Sequence, residues 1–394
     1  MTSPDNANSP APRGSMRRID WETFRRVAAD AGTTLPIEQT AVWDAFDAAM
    51  EDREPWGRLV YESAAGTPRA LIALTRTTVR GFPYLWARHA PVWLGAAPTP
   101  AEEAELRELV VEGVRFHDPA VVFVRLHFNH PAPQLHELLQ TMAYDRTVIL
   151  NVDREDDEAF LASFKPRGRR DVRKALRNVE LTYHDETDHA EEVFAELYAI
   201  LIETGERDGF HAAPEETYRT MLRTLGPEHC RLYVARRAGG EALAWSIDTV
   251  WGDGAGRYYA ASTAEGRRVR AADALLYKEG CWLRERGVRT WDLMGSGSER
   301  TPELSGVGSF KAKFTPDGAV DIAGPWDVPV RPHVYRALVR ALELKHRVET
   351  RSASLRQRLG SLHRGQDDDP GTAADGGHAA VAALAPEGRR PSQA

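Results

Sequence analysis

The chain has 394 residues, 42% hydrophobic and 28% charged, with 51 Lys and Arg against 58 Asp and Glu. That length and balance predict two globular domains with real cores. Two cysteines, Cys230 and Cys281, exclude a disulfide framework and fit a reducing compartment, and no apolar run approaches the length of a membrane span.

The first 16 residues are rich in Pro, Ser and Asn, lack an apolar signal core, and read as a disordered leader. A helical start is expected next. Arg58–Gly66 is an apolar strand ending in a small-residue turn, and Ala70–Val79 pairs with it as a hairpin. Gly81–Trp86 is a third strand. Glu102–Phe116 follows as a helix with Leu106, Leu109, Val110 and Val114 on one face, then a strand at Val121–Leu126. Thr147–Val152 reads as one more strand, with a domain seam near Leu150.

Lys165–Arg177 then packs seven basic residues and one acid, Asp171, which leaves 44 basic and 57 acidic residues elsewhere. Positive charge so concentrated points to one anionic ligand rather than general nucleic-acid coating. A helix is expected from Arg169 toward Asn178, after breaks at Pro166 and Gly168. Val172, Ala175 and Leu176 line one face, and cations cover the other. Like charges four residues apart cost about 0.2–0.5 kcal/mol per pair, which a bound anion would relieve. A solvated face neutralised by Glu155 to Glu158 is the alternative.

The second half repeats the first at an offset of 173 residues. Arg231–Gly239 and Ala242–Trp251 form a hairpin, and Gly254–Tyr259 is the third strand. Ala271–Arg286 is the helix, and Val288–Leu293 the last strand. This element order resembles the GNAT acyltransferase fold. The predicted fold class is therefore α/β with mixed sheets: tandem GNAT-like domains over 17–150 and 151–330. The loop Trp291–Ser298 holds Gly-x-Gly without a third glycine, a weak dinucleotide signal. Gly306–Phe314 places Lys311 between Phe310 and Phe314, where a cation would stabilise an oxyanion better than in water. A lysine packing its stem on the aromatics is the plainer alternative. From Pro332 a helix carries Val334, Tyr335, Leu338, Val339 and Leu342 on one face, and is expected to pack on domain 1 over 331–364. Its basic side, with Arg331, Arg336, Arg340, Lys345 and Arg347, would alternatively suit a membrane surface. Residues 365–394 read as a disordered tail.

Coenzyme A binding normally uses backbone amides of a glycine-rich turn opening a helix. The corresponding stretch is Arg267-Arg-Val-Arg270, where an arginine replaces the central glycine, and the first-half counterpart from Gly95 is acidic and broken by prolines. Neither half looks like a good coenzyme A site.

From about Ile19 to His346 the chain resembles the Fem family of aminoacyl-tRNA-dependent peptidoglycan-bridge transferases. The motifs carrying the resemblance are Lys165–Arg177, Glu206–Phe210, Tyr258–Ser262, Trp291–Gly295, Ser309–Phe314 and His89–Val92. The resemblance implies transfer of an amino acid from its tRNA ester to a side-chain amine of a peptidoglycan precursor, lipid II or UDP-MurNAc-pentapeptide. It implies Lys311 as the catalytic cation. Arg207, Tyr258, Tyr259 and Phe310, with Arg267, Arg268 and Arg270 for phosphates, would line the substrate pocket. Lys165, Arg169, Arg170, Arg173, Lys174 and Arg177 would hold tRNA. No cofactor is expected beyond aminoacyl-tRNA as co-substrate, and the implied enzyme is a cytoplasmic monomer that touches the inner membrane face.

Three features depart from the family. Its early domain-one lysine has no counterpart in Asp44–Met50, the first-domain acid and tyrosine have no match near Leu94–Pro98, and a coiled-coil arm is absent. Asp292, Glu299 and Glu303 are base candidates by location only, and Asp292 also suits a hydrogen bond to the following loop. The alternatives are an N-acyltransferase, dependent on tRNA or acyl-coenzyme A, acting on a small metabolite or protein, and a non-catalytic tRNA-binding module.

Overall fold

The computed structural model describes residues 13–139 and 143–344. The first half opens with a strand, β1 (Ser15–Ile19), before its helices α1 (Trp21–Asp30) and α2 (Ala41–Ala48). The expected leader thus yields to sheet at Ser15, because Ser15–Ile19 pairs antiparallel with Arg58–Glu62. The meander follows as β2 (Arg53–Glu62), β3 (Pro68–Val79) and β4 (Phe82–Trp86), with the short β5 (Val92–Trp93) returning to β3. Helix α3 (Pro100–His117) starts at a capping box, where Thr99 and Glu102 satisfy each other's backbone amides. Strand β6 (Phe123–Phe128) then runs parallel to β4.

The single strand expected at Thr147–Val152 is instead two pieces, β7 (Arg146–Thr147) and β8 (Ile149–Asn151), which pair into different sheets on either side of Val148. Helices α4 (Asp157–Ala162) and α5 (Pro166–Leu176) follow. Pro166 and Gly168 do not break α5; they form its first turn. A proline suits the first helical position, and Gly168 lets the helix approach the Lys313 carbonyl, where a Cβ would clash.

The second sheet is built from β9 (Leu181–Asp185), then helices α6 (Ala190–Asp208) and α7 (Glu215–His229), then β10 (Cys230–Arg237), β11 (Ala242–Trp251) and β12 (Gly254–Ser262). Helices α8 (Ala264–Arg268) and α9 (Ala271–Glu285) lead to β13 (Thr290–Asp292), parallel to β12. Helix α10 (Ser305–Lys311) follows, then β14 (Val320–Asp321), which pairs with β7, and β15 (Gly324–Pro329), before α11 (residues 332–344).

The two sheets have matching orders, β1-β2-β3-β4-β6-β15 and β9-β10-β11-β12-β13-β8. Each closes with a strand from outside its own repeat. β8, which follows the first half, pairs with β13, while β15, which follows the second, pairs with β6. Linear domains divided at 150 and 330 are therefore corrected, because β8 belongs to the second sheet and β15 to the first.

One core lies between the first sheet, α1 and α3, around Phe24, Leu71, Leu106 and Val110. A second joins the halves. Trp43 and Phe46 of α2 pack with Phe194, Tyr218 and Trp245 of the second half. Tyr335, Leu338 and Leu342 of α11 lie on Tyr84, Trp86 and Phe123, the other face of the first sheet. Lys345, Arg347, the rest of the helix expected to 364, and the tail lie outside the described residues. No coiled-coil arm projects among residues 151–323, and no described helix is long and apolar enough to cross a membrane.

Candidate active site

β12 and β13 are hydrogen-bonded only from Gly254–Gly256 to Thr290–Asp292, after which they splay apart. A pocket opens there. It is lined by Ala260, Ala261 and Ser262 of β12, by Leu293 beyond β13, by Arg207, Trp245 and Arg257, and by Arg267, Arg270, Asp273, Phe310 and Lys311. In the first half the equivalent gap is closed. The His127 amide donates to Ala90 O, and the His89 amide to the His127 ring.

Lys311 is the last residue of α10 and only 5% exposed. Its Nζ donates to the carbonyl oxygens of Met294 (2.9 Å) and Gly295 (2.8 Å) and makes no ion pair among the described residues. Burial pulls its pKa down to about 7; Asp292 opposes that pull and Arg257 adds to it. A neutral amine has two N–H groups, and both are spent on these carbonyls. Its lone pair is left for the pocket. Once protonated, the same nitrogen has a third N–H to offer.

The neighbouring lysine behaves differently. Lys313 is buried between Asp171 (3.5 Å) and Asp273, to which it also donates. Asp273 belongs to the pocket wall and Asp171 to α5. The lone acid of the basic run is therefore turned inward, tying α5 to the pocket.

Five of the residues implied by the resemblance meet at this pocket: Arg207, Arg267, Arg270, Phe310 and Lys311. Arg207 holds Asp208 through two nitrogens and Ser262 O through the third. Arg267 has a buried Nε without a hydrogen-bond partner among the described residues, and burial and the nearby Arg207 lower its pKa. Arg270 caps α9 with φ +63°, the left-handed backbone that glycine would adopt. The turn thus keeps a glycine-like shape while carrying a guanidinium into the pocket.

Three expected residues lie elsewhere. Tyr258 is bulged out of the β11–β12 ladder, since Ile247 pairs with Tyr259 and Asp248 with Arg257. The extra residue turns both tyrosines to the face of the sheet covered by α6 and α7. There Tyr258 donates to Glu38 and packs on Trp43, and Tyr259 packs edge-on to Tyr218 at 4.7 Å. Both are core. Arg268 points to solvent and pairs with Glu265.

On α5, Arg170, Lys174 and Arg177 are exposed, and Arg173 is exposed but paired with Glu158 at 2.6 Å. Lys165 is half-buried at the N-cap. Arg169 turns back to donate to Ala162 O (3.2 Å) and Phe164 O, so the outer face is not wholly free cation. Glu299 and Glu303 are exposed and do not line the pocket. Asp292 is half-buried behind it, with its pKa raised by desolvation.

Sequence reasoning missed Arg257 and its support. Glu279 grips Arg257 at 2.9 and 3.2 Å. The Ser246 hydroxyl lies 2.8 Å from Glu279 and 3.1 Å from Asp248, and Trp291 Nε1 donates to Asp248. One hydroxyl proton cannot serve two carboxylates. Burial and the neighbouring Glu279 raise the pKa of Asp248 well above the usual range. The signal available was Arg257 itself, a charged residue inside an apolar strand.

Residues 162–301 match the family described as an acetyltransferase (GNAT) domain. No curated protein matches the chain in sequence. Among solved structures, FemX superposes with a TM-score of 0.61 at 14% identity, covering 82% of this chain and 99% of that one. The C-terminal domain of a putative lysylphosphatidylglycerol synthetase from Agrobacterium fabrum gives 0.48 at 15% identity, with 81% and 97% covered. A tandem GNAT protein from the clavulanic acid pathway gives 0.47 at 13%, with 81% and 99% covered. The fold is accordingly a tandem GNAT-type acyltransferase fold, with the open cleft in its second half.

Proposed function

We propose that this protein moves an aminoacyl group from aminoacyl-tRNA to a side-chain amine on the stem peptide of a peptidoglycan precursor, lipid II or UDP-MurNAc-pentapeptide. The observation that carries the reading is Lys311: a buried lysine without a counter-ion among the described residues, at the open strand splay, facing Arg207, Arg267 and Arg270. An aminoacyl ester is already activated, so the enzyme must supply a base for the amine and stabilise an oxyanion. The amine nitrogen attacks the ester carbonyl and a C–N bond forms. Lys311 takes the proton the nitrogen sheds and, now cationic, faces the tetrahedral oxyanion. The C–O bond then breaks and the proton passes to the leaving ribose oxygen. No cofactor is required beyond the tRNA ester. A monomer working in the cytoplasm, at the inner membrane face when the acceptor is lipid-linked, suits this chemistry.

The arginines at the pocket mouth suit phosphates of donor or acceptor, and α5 suits the tRNA backbone through Arg170, Arg173, Lys174 and Arg177. The test is radiolabelled aminoacyl-tRNA with each precursor. Amide-linked label on either acceptor is the expected result, and its absence with every amino acid would remove this reading. Acetyl-coenzyme A should give no product with the same acceptors, because Arg270 occupies the turn that a pyrophosphate would need.

Charge reversal on α5 gives a separate result. Arg170→Glu with Lys174→Glu should weaken tRNA binding and lower the slope of log Kobs against log salt by about 1–2, as losing two phosphate contacts predicts. Arg169→Glu tests a different role, since Arg169 is spent on carbonyls. An unchanged salt slope in the double variant would remove α5 from the tRNA interface.

A further inference from the structure

Two carbonyl oxygens hold Lys311, and something must hold them. Met294 has φ +61°, a left-handed backbone that a non-glycine residue adopts only when its surroundings enforce it. The enforcing contact is Asp292, whose Oδ1 accepts the Met294 amide at 2.6 Å. That turn aims Met294 O and Gly295 O at the same nitrogen. Asp292 is itself held by the Thr147 hydroxyl on β7, contributed by the first half. The same crossing segment braces the loop on both sides, with the Leu293 amide donating to Val148 O and the Ser296 amide to Arg146 O.

We propose that Asp292 is a positioning residue: braced by Thr147, it fixes the left-handed turn at Met294 and thereby the pair of carbonyls that seats Lys311. This rests on the reading of Lys311 given above. Asp292 is absent from the pocket lining, so it acts through the lysine and not on the substrate. Its negative charge has a second, separable effect, since it favours protonated Lys311. The charged groups facing Lys311 across the pocket are Arg207, Arg257, Arg267, Arg270 and Asp273. Those around Asp292 on its other side are His89, Glu38 and Tyr144.

Asp292→Asn and Asp292→Ala separate the two effects. Asparagine keeps an oxygen for the Met294 amide and loses the charge; alanine loses both. Lys311 is followed in the free protein by NMR of the 13Cε signal in lysine-labelled chain, assigned by its loss in Lys311→Arg. In Asp292→Asn the midpoint should fall below the wild-type value by about one pH unit, the scale of losing one nearby opposite charge. In Asp292→Ala the transfer rate should drop about 10²-fold at every pH, the scale of a misplaced catalytic group, with Asp292→Asn losing far less. Equal rates in the two variants, or an unmoved midpoint in Asp292→Asn, would overturn the assignment. Because the titration needs no substrate, it stands or falls independently of which acyl group and amine the enzyme uses. A wild-type midpoint near that of an ordinary lysine would instead overturn the role given to Lys311.

Discussion

Lys311→Met is expected to lower turnover about 10²–10³-fold, the usual loss for one oxyanion donor, while leaving tRNA affinity near the wild-type value. Methionine fills a similar volume, so the pocket should survive. Lys311→Arg is the more telling substitution. An arginine keeps the positive charge but does not lose its proton in proteins. It should be as inactive as methionine if the neutral amine is the base, and substantially active if charge alone suffices. The pH dependence follows from the lowered pKa. Lys311 is neutral above about 7 and protonated below it. The wild-type rate should therefore rise through pH 6–8 and level off on the alkaline side. Single-turnover kinetics with a fixed aminoacyl-tRNA read both results.

Asp47→Ala should cost about 3–5 kcal/mol of stability, the range for leaving buried charge without its partner. Asp47 is fully buried on α2. It accepts from Arg53 at 3.3 Å, Arg88 at 3.1 Å and the Thr75 hydroxyl at 2.5 Å. Alanine leaves two buried guanidinium groups facing each other, one of which already has an unpartnered Nη2. Because α2 also carries Trp43 and Phe46 into the core shared with the second half, the loss should be felt by both halves in one transition. Urea unfolding followed by tryptophan fluorescence checks this. Asp47→Asn keeps an acceptor for Thr75 and should lie between alanine and wild type.

The hairpins, the α3 and α9 helices and the repeat were readable because each buries a long, regularly spaced apolar set. The exchange of closing strands was not. β8 has three residues and β7 has two, too few to display a period, and their partners lie far away in sequence. The pocket was readable in part. In the sequence Lys311 and Lys313 share the frame of Phe310 and Phe314, but it is the Lys313 ammonium that lies over both rings, and Asp171 and Asp273, distant in sequence, pair with that lysine and leave Lys311 without an ion pair among the described residues. A clue was present in Asp171, the one acid among seven cations. An acid retained in such a run is expected to face inward. Tyr258 and Tyr259 were misplaced because a one-residue bulge in β12 reverses the simple alternation of sides.

The late closing strand of the first sheet, β15, has a consequence for synthesis. A ribosome that has made the whole first half has still not made residues 324–329, which complete its sheet. The outer edge of β6 therefore waits, unpaired, through the translation of nearly two hundred further residues, and such edges invite association with other chains. Cutting the gene between β6 and β7 would leave the first sheet without β15, which would remain on the other fragment without its partner. The first half is therefore closed only by chain made after the second, which binds the two repeats into one folding unit.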